Sequence, residues 1–169
     1  MIRDQQFRKI VEENSDKIYE LFMKMTGDHD DADELTQKTF IKVHDNLSTF
    51  KGDSSLSTWI YRIAINTGKN YLRKQKTKNF IGLENILHLS SDEKSKELNS
   101  FKGKVHQAIE KLSPKQNMLV LLRGFQGLPY REIGAIMDIS ENSAKVNYFH
   151  ALKNLKKYLK KMGISHEDL

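Results

Sequence analysis

Apolar residues recur at every third and fourth position along this chain, and that spacing constrains its fold more than any other feature. Prolines occur only at Pro114 and Pro129, each at the start of a helical pattern, and strand-like alternation is absent. Near the N-terminus the apolar residues mark one face of a helix: Phe7, Ile10, Val11, Ile18, Leu21, Phe22 and Met25. The sequence therefore predicts an all-α fold.

Helix-ending and helix-starting residues, together with one long polar segment, divide the chain into two ordered parts. Gly27 is expected to end the first helix, and the carboxylates within residues 28–34 favour the start of a second. A third helix is predicted from about Thr58 to Lys74, followed by a segment rich in Lys, Asn, Ser, Glu and Asp. Regular apolar spacing resumes near Val105. We therefore expect two small helical domains joined by a flexible linker.

The C-terminal part carries a helix-turn-helix pattern. Ser113 and Pro114 form an N-cap followed by proline at the first helical position, and Pro129 starts a second short helix. A tight turn at residues 138–140 leads to a cationic helix that begins near Glu141. A solvated lysine face is the ordinary alternative for a terminal helix. The coincidence of a tight turn with a basic helix favours DNA binding.

The charge balance suggests a polyanionic partner. The chain of 169 residues has a net charge of +6 and a pI near 9.3. It has no cysteine, which excludes disulfides and thiolate metal sites. Its longest purely apolar run, residues 118–122, is far too short to insert into a membrane, and no signal-peptide core is found. A soluble, cytoplasmic protein is expected.

Aromatic and basic side chains are interleaved between residues 50 and 75, in a pattern that suits single-stranded nucleic acid. The set comprises Trp59, Tyr61, Arg62, Lys69, Tyr71, Arg73 and Lys74. Stacking of Trp59 on a base competes with a simpler interpretation, in which Trp59, Ile60, Ile63 and Ala64 form the apolar stripe of an ordinary helix. Helical spacing favours the simpler interpretation for those four residues.

The sequence contains no recognisable catalytic, metal-binding or nucleotide-binding motif. The acidic residues 28–34 lack the central glycine and distal glutamate of a calcium loop. The six histidines lack metal-ligand spacing, and no phosphate loop, dinucleotide fingerprint or nucleophile elbow occurs. We therefore expect no catalytic residue, no metal and no cofactor, and the protein is not expected to be an enzyme.

Three segments, taken together and in this order, resemble the sigma-70 family of RNA polymerase sigma factors. They are DADELTQKTFIKV (31–43), FKGDSSLSTWIYRIAINTGKNYLRK (50–74) and LSPKQNMLVLLRGFQGLPYREIGAIMDISENSAKVNYFHALKNLKKYL (112–159). The resemblance is to the small extracytoplasmic-function group. It implies a sigma-2 helical bundle at residues 1–75, a linker at 76–103, a sigma-4 helix-turn-helix domain at 104–162 and a tail at 163–169.

The resemblance implies that sigma-2 binds both core polymerase and the promoter −10 element. Docking on the clamp helices of the largest subunit is implied for Asp33, Glu34, Gln37 and Lys38. Capture of melted −10 DNA is implied for the loop Gly52, Asp53, Ser54, Ser55 and Leu56, and for Arg62, Asn66, Lys69 and Arg73. Many relatives carry an aromatic residue where Leu56 stands, so weaker base capture is expected here.

Sigma-4 is implied to read the duplex −35 element and to meet the polymerase flap. Its contact positions are Lys145, Val146, Asn147, Phe149, His150 and Lys153. Relatives usually carry several arginines there, and bidentate arginine–guanine readout is unavailable to this chain. The sequence therefore predicts either an A/T-rich −35 element or help from another DNA-bound recruiting factor.

Other partners and functions remain open at this point. The acidic linker residues Asp92, Glu93 and Glu97 could mimic nucleic acid near the polymerase cleft, or the linker could be a plain tether. An anti-sigma factor is a further partner that the resemblance suggests. A stand-alone helix-turn-helix regulator is the alternative function, although it assigns no role to the first two segments. An adaptor that mimics sigma surfaces would not need the basic residues at 62, 69 and 73.

Overall fold

Every regular element that the structure describes is helical, as the sequence predicts. The structure is a computed structural model and describes residues 2–81 and 100–164, with side-chain surroundings for residues 5–77 and 100–164. The α-helices in those ranges are α1 (Ile2–Thr26), α2 (His29–Asn46), α3 (Leu56–Ile81), α4 (Phe101–Glu110), α5 (Pro114–Val120), α6 (Tyr130–Met137) and α7 (Glu141–Lys161), and a short 3-10 helix, Leu47–Thr49, follows α2.

The first two helices form a hairpin whose turn is built from Gly27 and Asp28. Gly27 has a φ of +69°, a left-handed conformation that suits glycine and ends α1. The Asp28 carboxylate then accepts hydrogen bonds from the backbone N–H groups of Asp30 and Asp31, at 2.9 and 3.0 Å. The acidic stretch therefore caps α2, where carboxylates also stabilise the positive end of the helix dipole.

The third helix is longer at both ends than the sequence predicts. It begins at Leu56 because the Ser55 hydroxyl accepts the backbone N–H of Thr58 at 3.1 Å and so acts as the N-cap. It runs to Ile81, because no glycine or proline interrupts the segment after Lys74. The helix thus enters the segment expected to be linker. The proposed domain boundaries stay a prediction, and the acidic linker residues and positions 165–169 lie outside the described residues.

The C-terminal helices begin close to the residues that the sequence predicts. Ser113 caps α5 through its hydroxyl, with Pro114 at the first helical position. A single wide π turn, Leu121–Phe125, follows α5, and the chain then reverses at Gly127, where φ is +67°. Helices α6 and α7 are joined by the turn at residues 138–140, also as predicted.

One apolar core runs through both halves of the described chain. Helices α1, α2 and α3 contribute one part of it, centred on residues such as Phe22 and Ile60. Buried residues of α5, the π turn and α6, including Met118, Leu122 and Ile133, complete the same cluster. The helix-turn-helix therefore packs directly against the N-terminal bundle, chiefly through α3.

Candidate polymerase and nucleic-acid interfaces

The outer face of α2 brings together the four residues expected to meet polymerase. Asp33, Glu34, Gln37 and Lys38 are all exposed, and the Lys38 ammonium pairs with the Glu34 carboxylate one turn away. They are held there because the opposite face of α2 is buried against the other helices, with Leu35 and Phe40 among its inward residues. The face carries charges of both signs.

An apolar residue that sequence reasoning missed lies on the same face. Ile41 is 59% exposed and follows Gln37 by four residues, which places the two side chains on neighbouring turns. Its signal was present in the sequence, because Ile41 falls outside the apolar stripe that the rest of α2 buries. An exposed β-branched side chain within a charged face is a suitable anchor for a protein partner.

The loop before α3 is short and held at both ends. At its start the ring of Phe50 packs against Trp59, with centroids 5.3 Å apart. At its end Ser55 caps the helix, so its hydroxyl is already engaged. Between them, Gly52 adopts a φ of +77° and Asp53 is exposed. The loop thus presents polar groups on a fixed turn.

Leu56, predicted as part of the loop, belongs to α3 and packs inward. It is the first residue of α3 and lies half-buried against the main core. Ser54 is also half-buried, and its hydroxyl donates to the Ser55 carbonyl at 3.3 Å. Gly52, Asp53 and Ser55 are the exposed members of the set.

The aromatic residues of α3 support the helix instead of offering stacking surfaces. Trp59 packs beside the core, as the apolar-stripe interpretation expected. Tyr61 is buried, and its hydroxyl donates to the Gln126 side-chain oxygen at 3.0 Å. Burial, with added effects from the carboxylates of Glu132 and Glu20, raises the pKa of Tyr61 to about 12. The Tyr71 hydroxyl donates to Asp31 at 2.8 Å.

The polar side chains of α3 divide into free and engaged groups. Asn66 and Arg73 are exposed. Arg62 is half-buried, and its Nε donates to the backbone carbonyl of Ala135 in α6 at 2.8 Å. Of the cations expected to hold phosphates, Arg62 is therefore occupied by the helix-turn-helix.

A positively charged cleft opens where α3 meets the second half of the chain. Its volume is about 420 Å³, and it is lined by Lys69, Arg73, Ser113, Pro114, Lys115, Met137 and Ile139. Burial lowers the pKa of Lys69, and the nearby charges of Arg73 and Lys115 lower it further. Cations that disfavour one another's charge make a site where a phosphate group would relieve the repulsion.

The helix-turn-helix is tightly built. Asp138 ends α6 in a left-handed conformation with φ of 55°, and the Ile139 N–H donates to the Gly134 carbonyl at 3.0 Å. A Cβ atom on Gly134 would lie only 2.7 Å from the Ile139 carbonyl oxygen, so only glycine permits this approach. Ser140 then caps α7 by accepting the Ser143 N–H at 3.0 Å.

Five of the six predicted −35 contact residues share one exposed face of α7. They are Lys145, Val146, Phe149, His150 and Lys153. Asn147 differs, because it is half-buried and its side-chain amide donates to the Ser143 carbonyl at 2.7 Å. The exposed face therefore combines two lysines and a histidine with two apolar side chains.

Two negative findings concern metals and membranes. Among residues 5–77 and 100–164, whose side-chain surroundings are described, the structure holds no group of three or more metal-ligating side chains. No helix in these ranges has the length and apolar character needed to cross a membrane.

Both halves of the chain match family models. Residues 10–78 match the family described as Sigma-70 region 2, and residues 102–155 match Sigma-70, region 4. The chain is 30% identical to the RNA polymerase sigma-H factor of Pseudomonas aeruginosa over 165 residues, which cover 90% of this chain and 86% of that protein. It is 34% identical to the ECF RNA polymerase sigma-E factor of Escherichia coli K12 over 133 residues, covering 72% and 70%.

Solved structures share the fold. The sigma factor RpoE of Bartonella quintana, determined with the anti-sigma factor NepR, aligns with a TM-score of 0.65 at 19% identity, covering 92% of this chain and 98% of that one. CnrH, determined with the cytosolic domain of CnrY, aligns with a TM-score of 0.66 at 16% identity, covering 94% and 90%.

Proposed function

Since the chain belongs to the extracytoplasmic-function group of the sigma-70 family, and is a sigma factor of transcription initiation, we propose a role for each exposed face. The face of α2 binds core RNA polymerase, the loop 52–55 with α3 captures the −10 element, and α7 reads the −35 element. The observation that carries this assignment is the separation of three exposed polar faces onto three different helices.

Docking on polymerase combines charge with one apolar anchor. Asp33 and Glu34 suit a basic surface on the partner, and complementary charge accelerates association and fixes orientation. Ile41 supplies apolar area beside them, and contact with a protein partner would remove that area from water. We therefore add Ile41 to the docking residues.

Base capture at −10 is assigned to groups that are free on the surface. The loop offers the Asp53 carboxylate and backbone groups around Gly52, and Asn66 offers an amide that can both donate and accept. Lys69 and Arg73 line the charged cleft and hold the phosphates beside the captured strand. Leu56 contributes by bracing the loop, because its side chain packs inward.

Simultaneous contact with both promoter elements requires the chain to open. By their nominal positions the −35 and −10 elements are centred ~25 base pairs apart, or about 85 Å at 3.4 Å per base pair. A compact chain of 169 residues has a radius of gyration of about 15 Å, and so spans roughly 40 Å. The contact between α3 and α6 must therefore separate, which also releases Arg62 for DNA.

Recognition at −35 depends on few hydrogen-bonding groups. Helix α7 contains no arginine, and Asn147 is turned back onto its own helix. Lys145, Lys153 and His150 remain for phosphates and base edges. Sigma-4 alone is therefore expected to select guanine only weakly. We propose that the factor uses an A/T-rich −35 element or is recruited by another DNA-bound protein.

An inhibitory protein is a further proposed partner, because the sigma factor RpoE described above was determined in complex with the anti-sigma factor NepR. A role as a stand-alone helix-turn-helix regulator is less favoured, because it assigns no function to the exposed face of α2 or to the loop before α3.

Co-elution with purified bacterial core RNA polymerase tests the proposal. The wild-type chain is expected to form a stoichiometric holoenzyme on size exclusion, and Glu34→Ala with Gln37→Ala is expected to weaken it. Exchange of Gln6, an exposed amide on α1, for alanine is the control. A chain that binds duplex DNA but never associates with core polymerase would establish the regulator instead.

A further inference from the structure

Two apolar side chains on the exposed face of α7, Val146 and Phe149, lie outside the apolar core of the described chain. Val146 is 46% exposed and Phe149 is 67% exposed, whereas the opposite side of the helix buries Ala144, Ala151 and Leu159. Phe149 makes an edge-on ring contact with the neighbouring His150, with centroids 6.1 Å apart. Two adjacent exposed apolar side chains on one helix face are suited to contact with something outside the chain.

The position of the pair on the helix identifies the kind of contact. Val146 and Phe149 are three residues apart, so their side chains lie side by side on one face. They fall in the N-terminal half of the second helix of the helix-turn-helix, the part that enters the DNA major groove. Lys145 and Lys153 flank them and can reach phosphates on either side.

The major groove displays one large apolar group, the 5-methyl group of thymine. We propose that Val146 and Phe149 read thymine methyl groups in the −35 element and thereby supply much of its sequence specificity. This inference rests on the proposed role of α7. It adds the base class that the helix selects and the chemistry of the selection.

The remaining groups on the face favour this mode of reading. Asn147 would be the natural reader of adenine, but its amide is held by the Ser143 carbonyl. Lysine ammonium groups attract phosphates without distinguishing bases well. Methyl contact therefore adds a discriminating interaction to the hydrogen bonds that His150 can offer, because transfer of a methyl group from water to an apolar surface is favourable wherever it fits.

Thymine can be replaced by deoxyuridine, which removes the methyl group and leaves every hydrogen-bonding group in place. A −35 element is first selected from a random duplex library with the holoenzyme, and thymine is expected at one or more selected positions. Replacement of each such thymine by deoxyuridine should weaken holoenzyme binding about fourfold per methyl group.

Two variants assign the effect to the named side chains. Val146→Ala with Phe149→Ala should bind more weakly and should lose the difference between thymine and deoxyuridine. The control Lys153→Ala should weaken binding to both duplexes by the same factor. Circular dichroism checks that the variants fold, as expected from the exposure of both side chains.

The inference is overturned if selection yields no thymine, if deoxyuridine duplexes bind as well as thymine duplexes, or if the double variant keeps the methyl effect. In each of these cases the holoenzyme still starts transcription, so the proposed function stands. Failure to form a holoenzyme or to start transcription at any selected promoter would instead contradict the proposed function.

Discussion

The guanidinium Nε of Arg62 donates a 2.8 Å hydrogen bond to the backbone carbonyl of Ala135, joining residues 73 positions apart in the chain. The bond ties the helix assigned to the −10 element to the first helix of the helix-turn-helix. Tyr61 reinforces the contact through its bond to Gln126, and Lys76 adds a 2.8 Å bond to the Leu112 carbonyl. In this arrangement the face proposed for −10 DNA is partly covered, and the face proposed for −35 DNA is exposed.

Binding to core polymerase and promoter DNA should therefore separate α3 from α6. Fluorophores at introduced cysteines, Asp45→Cys on α2 and Lys157→Cys on α7, would report the change by energy transfer, since the chain has no native cysteine and both positions are exposed. High transfer is expected for the free protein and low transfer in the promoter complex. Unchanged transfer on binding would contradict the opening.

Much of the fold could be predicted from sequence because its signals are local. Apolar spacing indicates the helices, and capping residues such as Asp28, Ser113 and Ser140 mark where several of them begin. The Arg62–Ala135 contact had no such signal, since no local pattern encodes which surfaces meet across an intervening segment. The inward turn of Asn147 likewise depends on a bond to Ser143 that side-chain type alone does not reveal.

Ile41 is expected to act as an anchor for core polymerase. Ile41→Asp should weaken holoenzyme formation by about tenfold or more, because loss of a hot-spot side chain costs about 2 kcal/mol or more and each 1.4 kcal/mol is tenfold in affinity. Fluorescence anisotropy with labelled protein and core polymerase would measure the change. Phe101→Ala, at another exposed apolar side chain, is the control. Equal affinity of the Ile41 variant and wild type would remove this residue from the interface.

Gly134→Ala should destabilise the helix-turn-helix even though alanine is the better helix former by about 1 kcal/mol. The added methyl would lie 2.7 Å from the Ile139 carbonyl, and the forced shift is expected to lower the free energy of unfolding by about 1–3 kcal/mol. Urea unfolding measures the change. Gly124→Ala is the matched control, since its methyl would sit 3.6 Å from the Tyr148 hydroxyl, an ordinary contact. Equal stability of Gly134→Ala and wild type would refute the close turn.

Alkaline pH should destabilise the fold through Tyr61. Its pKa rises from 10.0 to about 12 on folding, so the native state prefers the neutral phenol. The stabilisation is complete below pH 10 and is lost between pH 10 and about 12. From about pH 9 to about pH 11 the loss due to this group is about 1.4 kcal/mol. Tyr61→Phe should show a correspondingly smaller decline in urea unfolding over the same range, and an identical decline would refute the assignment.

Run-off transcription on linear templates with purified core polymerase tests the central claim most directly. Core polymerase with the wild-type chain is expected to start at discrete promoters on which core polymerase alone is inactive. Asn66→Ala should still form the holoenzyme but should start far less often, because we propose that this exposed amide contacts the melted strand and not polymerase. Promoter-independent output with the wild-type chain, or full activity of Asn66→Ala, would contradict the account.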